Sequence, residues 1–97
     1  MKSTKIITAE EQSVIDTLPT LNLSGIAQVI QQNWGKVWFG AEPYLKAMAE
    51  MDSIKDPYYA DSGASVVLYF LCNSNSWRGS IARATKAELN KRAKACR

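Results

Sequence analysis

The sequence predicts an all-α fold, a compact bundle of four or five helices around a buried central helix spanning about residues 62–73. Three observations carry this. The only long unbroken apolar run is Val66-Val67-Leu68-Tyr69-Phe70-Leu71-Cys72, so the other segments must cover it. Asp61-Ser62 stands in front of that run as an N-cap pair. No second β-rich segment exists with which the run could pair as a strand, and an isolated strand leaves its backbone groups unsatisfied. By composition alone the run would also suit a buried strand, since it is rich in β-branched and aromatic residues. Ser62 to Asn73 is long enough for three helical turns, and a helix apolar on most sides belongs at the centre of a bundle.

The first seven residues read as a flexible arm, and residues 1–97 as a single domain. Thr8-Ala9-Glu10-Glu11 is a capping box opening the first helix, with both glutamates at the positive end of the helix dipole. That helix carries Val14, Ile15 and Leu18 and ends before Pro19, because proline disfavours helical geometry in the preceding residue.

Asn22 or Ser24 starts a second helix, in which Leu23, Ile26, Ile30, Trp34, Val37 and Trp38 form one stripe. Gly35 and Gly40 weaken it, so it should end between Trp34 and Phe39. Gly40-Ala41-Glu42-Pro43 then opens a third helix, with Pro43 in the first turn and Tyr44, Leu45, Met48 and Met51 on its apolar side. The alternative is one long helix from Ser24 to Met51 kinked at Pro43. Residues 52–60 read as a loop, with Asp56-Pro57 as its turn signal.

After the central helix, Asn73-Ser74-Asn75-Ser76 breaks the pattern. Ser76 caps a last helix running to about Lys94, its stripe traced by Trp77, Ile81, Thr85, Glu88/Leu89 and Arg92. Two helices joined by a short polar connection match a helix-turn-helix superficially, but the usual turn glycine is missing and an ordinary αα-hairpin fits better.

Composition narrows the function classes. Apolar content of 46% with 22% charged residues is globular, and no stretch approaches the roughly 18 apolar residues of a membrane span. No apolar core follows the charged start, so no secretory signal is expected. Cys72 lies inside the apolar run and reads as an inert buried thiol. Cys96 reads as an exposed, unactivated one. With no disulfide framework, the chain is expected in the cytoplasm. There is no histidine, which removes His-based acid–base chemistry, Ser-His and Cys-His nucleophile pairs, and His-ligated zinc. Asp52, Asp56 and Asp61 lack the glycine and closing glutamate of a calcium loop. No enzyme activity, catalytic residue, metal or cofactor is expected.

Charge is uneven. Residues 78–97 carry seven basic side chains and one acidic, Glu88, a net +6. Residues 1–77 carry five basic against eight acidic, a net −3, which leaves the chain at +3. Arg78, Arg83, Lys86, Lys91 and Lys94 are therefore candidates for nucleic-acid binding by the last helix. Arg83, Lys86, Lys94 and Arg97 follow the helical period on one face. A solubilising face, or pairing with the acidic middle of the chain, is the plainer explanation.

The middle is also aromatic, with Trp34, Trp38, Phe39, Tyr44, Tyr58 and Tyr59. Trp38 and Phe39 are adjacent and cannot both face one core from one helix. Trp38, Phe39 and Tyr44 are thus candidates for a partner-binding surface. A protein partner is expected first, nucleic acid second, and no membrane.

The segments A-E-P-Y-L-K-A-M and S-V-V-L-Y-F-L-C-N-S-N-S-W-R-G-S-I-A-R-A-T-K-A-E-L resemble, in overall texture, small uncharacterised helical proteins of bacteria and their phages. The resemblance spans roughly residues 34–90. It implies a bacterial or phage origin and a small regulatory or inhibitory role exerted by binding a host macromolecule. It brings no functional residues with it.

Overall fold

In the computed structural model, residues 8–55, 57–58 and 61–95 are described. The expected arm of residues 1–7, and Asp56, Tyr59, Ala60, Cys96 and Arg97, lie outside the described residues. The elements in chain order are α1 (Ala9–Thr17), a 3-10 turn (Leu18–Thr20), α2 (Leu23–Asn33), α3 (Glu42–Ala49), β1 (Pro57–Tyr58), β2 (Asp61–Ser62), α4 (Gly63–Cys72) and α5 (Ser80–Ala95). The all-α bundle expected from sequence is the observed architecture. Its radius of gyration of 13.2 Å matches the roughly 13 Å of a compact 100-residue domain. No helix among the described residues is long and apolar enough to cross a membrane.

The capping box of α1 forms as expected. Glu11 N–H donates to Thr8 Oγ1 and Thr8 N–H donates to Glu11 Oε1, both at 3.1 Å. Pro19 ends the α-helix differently from the expectation. Leu18 stays in αR geometry and the chain tightens into the 3-10 turn, with Pro19 in its first positions. The Thr17 hydroxyl donates to the Val14 carbonyl and the Thr20 hydroxyl to the Thr17 carbonyl, both at 2.7 Å. These bonds satisfy carbonyls that the helix end leaves unpaired.

α2 is capped by Asn22, whose Oδ1 accepts from Gly25 N–H at 2.8 Å. Its buried residues are Leu23, Ile26, Ala27 and Ile30. It stops at Asn33, because Trp34 leaves helical geometry (φ −106°, ψ 92°). Two helices therefore replace the kinked-helix alternative, and Pro43 sits in the first turn of α3 as expected. Leu45, Ala47 and Met48 of α3, with Met51 just beyond it, bury against α2 and α4. β1, within the segment expected to be a loop, forms a two-residue antiparallel pair with β2, the expected cap pair of the central helix, Pro57 opposite Ser62 and Tyr58 opposite Asp61. This pair leads directly into α4.

α4 is capped by Ser62, whose Oγ accepts from Ser65 N–H at 3.1 Å. It buries Gly63, Val66, Val67 and Phe70. The run is not covered all round. Helices of eight to sixteen residues pack α4 mainly against α3 and α5. Tyr69 and Cys72 on its outer side reach solvent, and Leu68 and Leu71 are half-buried. Cys72 is thus an exposed thiol, not the buried one expected.

The last helix begins four residues later than Ser76. Gly79 has φ +116°, a conformation rare for residues with a Cβ, and α5 starts from it with Arg83 N–H donating to the Gly79 carbonyl at 2.9 Å. Trp77 therefore precedes the helix. Its ring stacks on Trp34 (centroids 5.7 Å apart, planes at 10°), and Trp34 meets Phe70 edge-on at 6.2 Å. The Trp77 indole Nε1–H donates to the Asn33 carbonyl at 3.3 Å. With Trp77 off the helix, the buried stripe is Ala82, Thr85, Leu89 and Ala93: Thr85 and Leu89 are buried as expected, while Ala82 and Ala93 take the places expected for Ile81 and Arg92. Alanines at both ends of the stripe allow α5 to approach its neighbours closely.

Candidate aromatic and basic surface

Trp38 and Phe39 lie in the connection between α2 and α3 that the early end of α2 creates. Without a helix to alternate their directions, both reach solvent, Trp38 at 46% and Phe39 at 73% exposure. Their rings touch, with centroids 4.2 Å apart and planes at 51°. Trp38 leans over Gly40, where a Cβ would fall 2.5 Å from its Nε1. A side chain at position 40 would force the Trp38 ring to shift.

Tyr44 of α3 is half-buried beneath Tyr69 of α4, whose ring lies 5.4 Å away and which is 47% exposed. Cys72, one turn beyond Tyr69, lines a hollow of about 190 Å3 with Trp38, Asn73, Asn75 and Ser76. The three expected partner-binding residues thus occupy one side of the molecule, joined there by Tyr69. Sequence reasoning missed Tyr69 because it lies inside the apolar run. Its hydroxyl, a polar handle among aliphatic neighbours, was the available signal.

Asn75 also lines a second, larger groove of about 610 Å3 with Trp77, Arg78, Gly79, Ala82, Arg83 and Lys86. Gly79 builds this groove. By delaying α5 it places Arg78 before the helix start and Arg83 and Lys86 on the first turns, around the buried Trp77 ring. Arg78 and Arg83 are exposed. Lys86 is half-buried, and its Nζ donates to the Trp77 carbonyl at 2.6 Å. Burial, and then the nearby Arg78 charge, hold the Lys86 ammonium below its ordinary pKa. Among the described residues lining this groove none is acidic.

The remaining basic candidates are not brought together with these three. Lys91 and Lys94 are exposed further along α5, and Lys91 Nζ sits 4.0 Å from Glu88 Oε1. Arg92 is structural. Its Nε donates to Glu88 Oε2 at 2.8 Å, and its Nη2 donates to the Leu18 carbonyl at 2.9 Å across the α1–α5 contact. Among the described residues the basic segment therefore divides into a cationic groove at the start of α5, a part-buried arginine, and two surface lysines. Asn75 and Trp77, which shape the groove, were not identified as site residues from the sequence. They were read as turn and helix, and only the position of the helix start separates those readings.

The grooves hold cations, amides and aromatic faces. That set suits recognition of an anion or a planar group. Among the described residues there is no group of three or more His, Cys, Asp or Glu side chains able to hold a metal ion. Comparison of the chain with protein-family models, with curated proteins and with solved structures finds no match.

Proposed function

We propose that this chain is a non-enzymatic, phage-related binding module that regulates or inhibits a host macromolecule in the cytoplasm. One observation carries the reading. Among the described residues the exposed large hydrophobic side chains are Trp38, Phe39 and Tyr69, with Trp38 on Phe39 and, across a shared hollow, beside Cys72, one turn from Tyr69. Trp and Tyr dominate interface energetics, and an apolar cluster of this kind costs solubility unless something covers it. The lack of histidine in the sequence supports a binding role over a catalytic one.

A protein partner is the first reading, anchored by Phe39 and Trp38. Nucleic acid is the second, favoured by the groove of Arg78, Arg83 and Lys86. Affinity capture from bacterial lysate, with and without nuclease, tests the pair. Capture that survives nuclease and is lost on Phe39→Asp supports the protein partner. Capture lost on nuclease treatment and on Arg78→Ala/Arg83→Ala supports nucleic acid. Capture insensitive to both substitutions overturns the assignment of this surface.

A further inference from the structure

We infer that the two hollows meeting at Asn75 form one path for single-stranded nucleic acid, with a base stacked on the Trp38–Phe39 pair and phosphates held by Arg78, Arg83 and Lys86. The inference rests on the nucleic-acid reading above and names its form. Asn75 lines both hollows, so the aromatic end and the cationic end adjoin at that residue. The described charged residues along the path are all basic, while residues 1–77 as a whole are net negative. A polyanion is therefore drawn to this strip rather than to the molecule at large.

The aromatic end selects a single strand over a duplex. In a duplex the bases are stacked on one another, and Phe39 and Trp38 would have no face to meet. An unpaired base offers a π-face regardless of sequence. Lys86 uses one N–H on the Trp77 carbonyl, and an ammonium carries two more. The start of α5 faces the same groove through Gly79 and adds its positive dipole end. Arg78 and Arg83 present fork geometry suited to phosphate.

The test is fluorescence anisotropy with a labelled oligothymidylate of about twelve nucleotides, within the usual site sizes. A duplex of the same length and poly-L-glutamate serve as the other probes, all at low salt. The single strand should bind more tightly than the duplex and resist displacement by polyglutamate. Trp38→Ala should weaken binding by at least about fivefold, the lower end of a lost base stack, while Trp38→Phe retains most of it. Arg78→Ala/Arg83→Ala should lower the slope of log affinity against log salt by about 1.4, two single-strand phosphate contacts. Trp38 is largely outside the core, so both variants should keep the wild-type circular dichroism.

Duplex bound as tightly as single strand, with Trp38→Ala unchanged but the arginine variant weakened, overturns the stacking path and leaves the nucleic-acid reading standing. Binding of neither oligonucleotide overturns both. Polyglutamate competing on equal terms overturns the path in favour of an acidic protein surface.

Discussion

Replacing Arg92 tests whether the basic C-terminal segment is divided between structure and surface. Its guanidinium makes two charge-assisted bonds, to Glu88 Oε2 at 2.8 Å and to the Leu18 carbonyl at 2.9 Å, with a longer contact to the Pro19 carbonyl at 3.4 Å. The Glu88 side chain is only 11% exposed and the Arg92 side chain 21%. Hydrogen bonds to charged groups contribute about 1.5–3 kcal/mol each when buried. Partial solvation here lowers the two together to about 2–3 kcal/mol. Arg92→Ala removes both. It also leaves the Glu88 carboxylate with an exposed lysine 4.0 Å away as its remaining charge partner among the described residues. Against a total stability of about 5–15 kcal/mol that loss is substantial. It corresponds to a fall in Tm of roughly 10–20 °C for a domain of this size. Arg92→Lys should recover only part, because an ammonium on a shorter stem cannot fork between carboxylate and carbonyl. Urea unfolding followed by circular dichroism measures the change, and a double-mutant cycle with Glu88→Ala should give a coupling of about 1 kcal/mol or more. An Arg92→Ala protein within about 0.5 kcal/mol of wild type would refute the reasoning and place Arg92 with the solvated basic residues.

Other expectations follow from single positions. Thr85 is fully buried and its hydroxyl has no hydrogen-bond partner among the described residues, so Thr85→Val, isosteric but apolar, should raise stability by about 1 kcal/mol in urea unfolding. Gly79 holds φ +116°, so Gly79→Ala should cost about 1–3 kcal/mol despite open space around it, read from the same transition. Val67 is fully buried, so Val67→Asp should prevent cooperative folding and leave no sigmoidal thermal transition. Lys86 is held below 10.5 in the folded chain. Between that depressed value and 10.5 the unfolded chain binds more protons at this site, so stability should rise with pH across that window. Lys86→Met should remove this component from the pH profile, read by urea unfolding at stepped pH.

Much of the fold was legible because local signals and burial agree. The Thr8–Glu11 capping box, the Leu23/Ile26/Ile30 stripe, Pro43 in a first turn and the long apolar run each have a local cause, and each forms. What was not legible depends on non-local contacts. Ser76 is a good cap by type, yet Trp77 gains more by leaving the helix to stack on Trp34, and Gly79 permits the turn that allows it. That choice leaves Thr85 and Leu89 buried as expected but puts Ala82 and Ala93, in place of Ile81 and Arg92, on the buried face of α5. Cys72 and Tyr69 look buried in a run of apolar neighbours, but a bundle of short helices covers only one side of α4. Of the candidate site, adjacency points to exposure of one of Trp38 and Phe39; that both reach solvent follows from the end of α2 at Asn33. The gathering of Arg78, Arg83 and Lys86, without Lys91 and Lys94, was not visible from spacing, because Arg78 precedes the helix. Arg92 on a helical stripe looked like a break in amphipathicity. It instead pairs with Glu88 and donates to the Leu18 carbonyl of the 3-10 turn, which also accepts the Leu21 N–H.

Site-specific photocrosslinking in bacterial cells tests the central claim, that the Trp38–Phe39 side of the molecule is where a macromolecule binds. A photoreactive phenylalanine analogue replaces Phe39, which is 73% exposed, and in a control chain Lys91, whose side chain is 74% exposed beside Glu88. The expected result is a discrete, light-dependent adduct from position 39, sensitive to nuclease or to protease according to its class, and none from position 91. No adduct from position 39, or the same products from both positions, would contradict the claim.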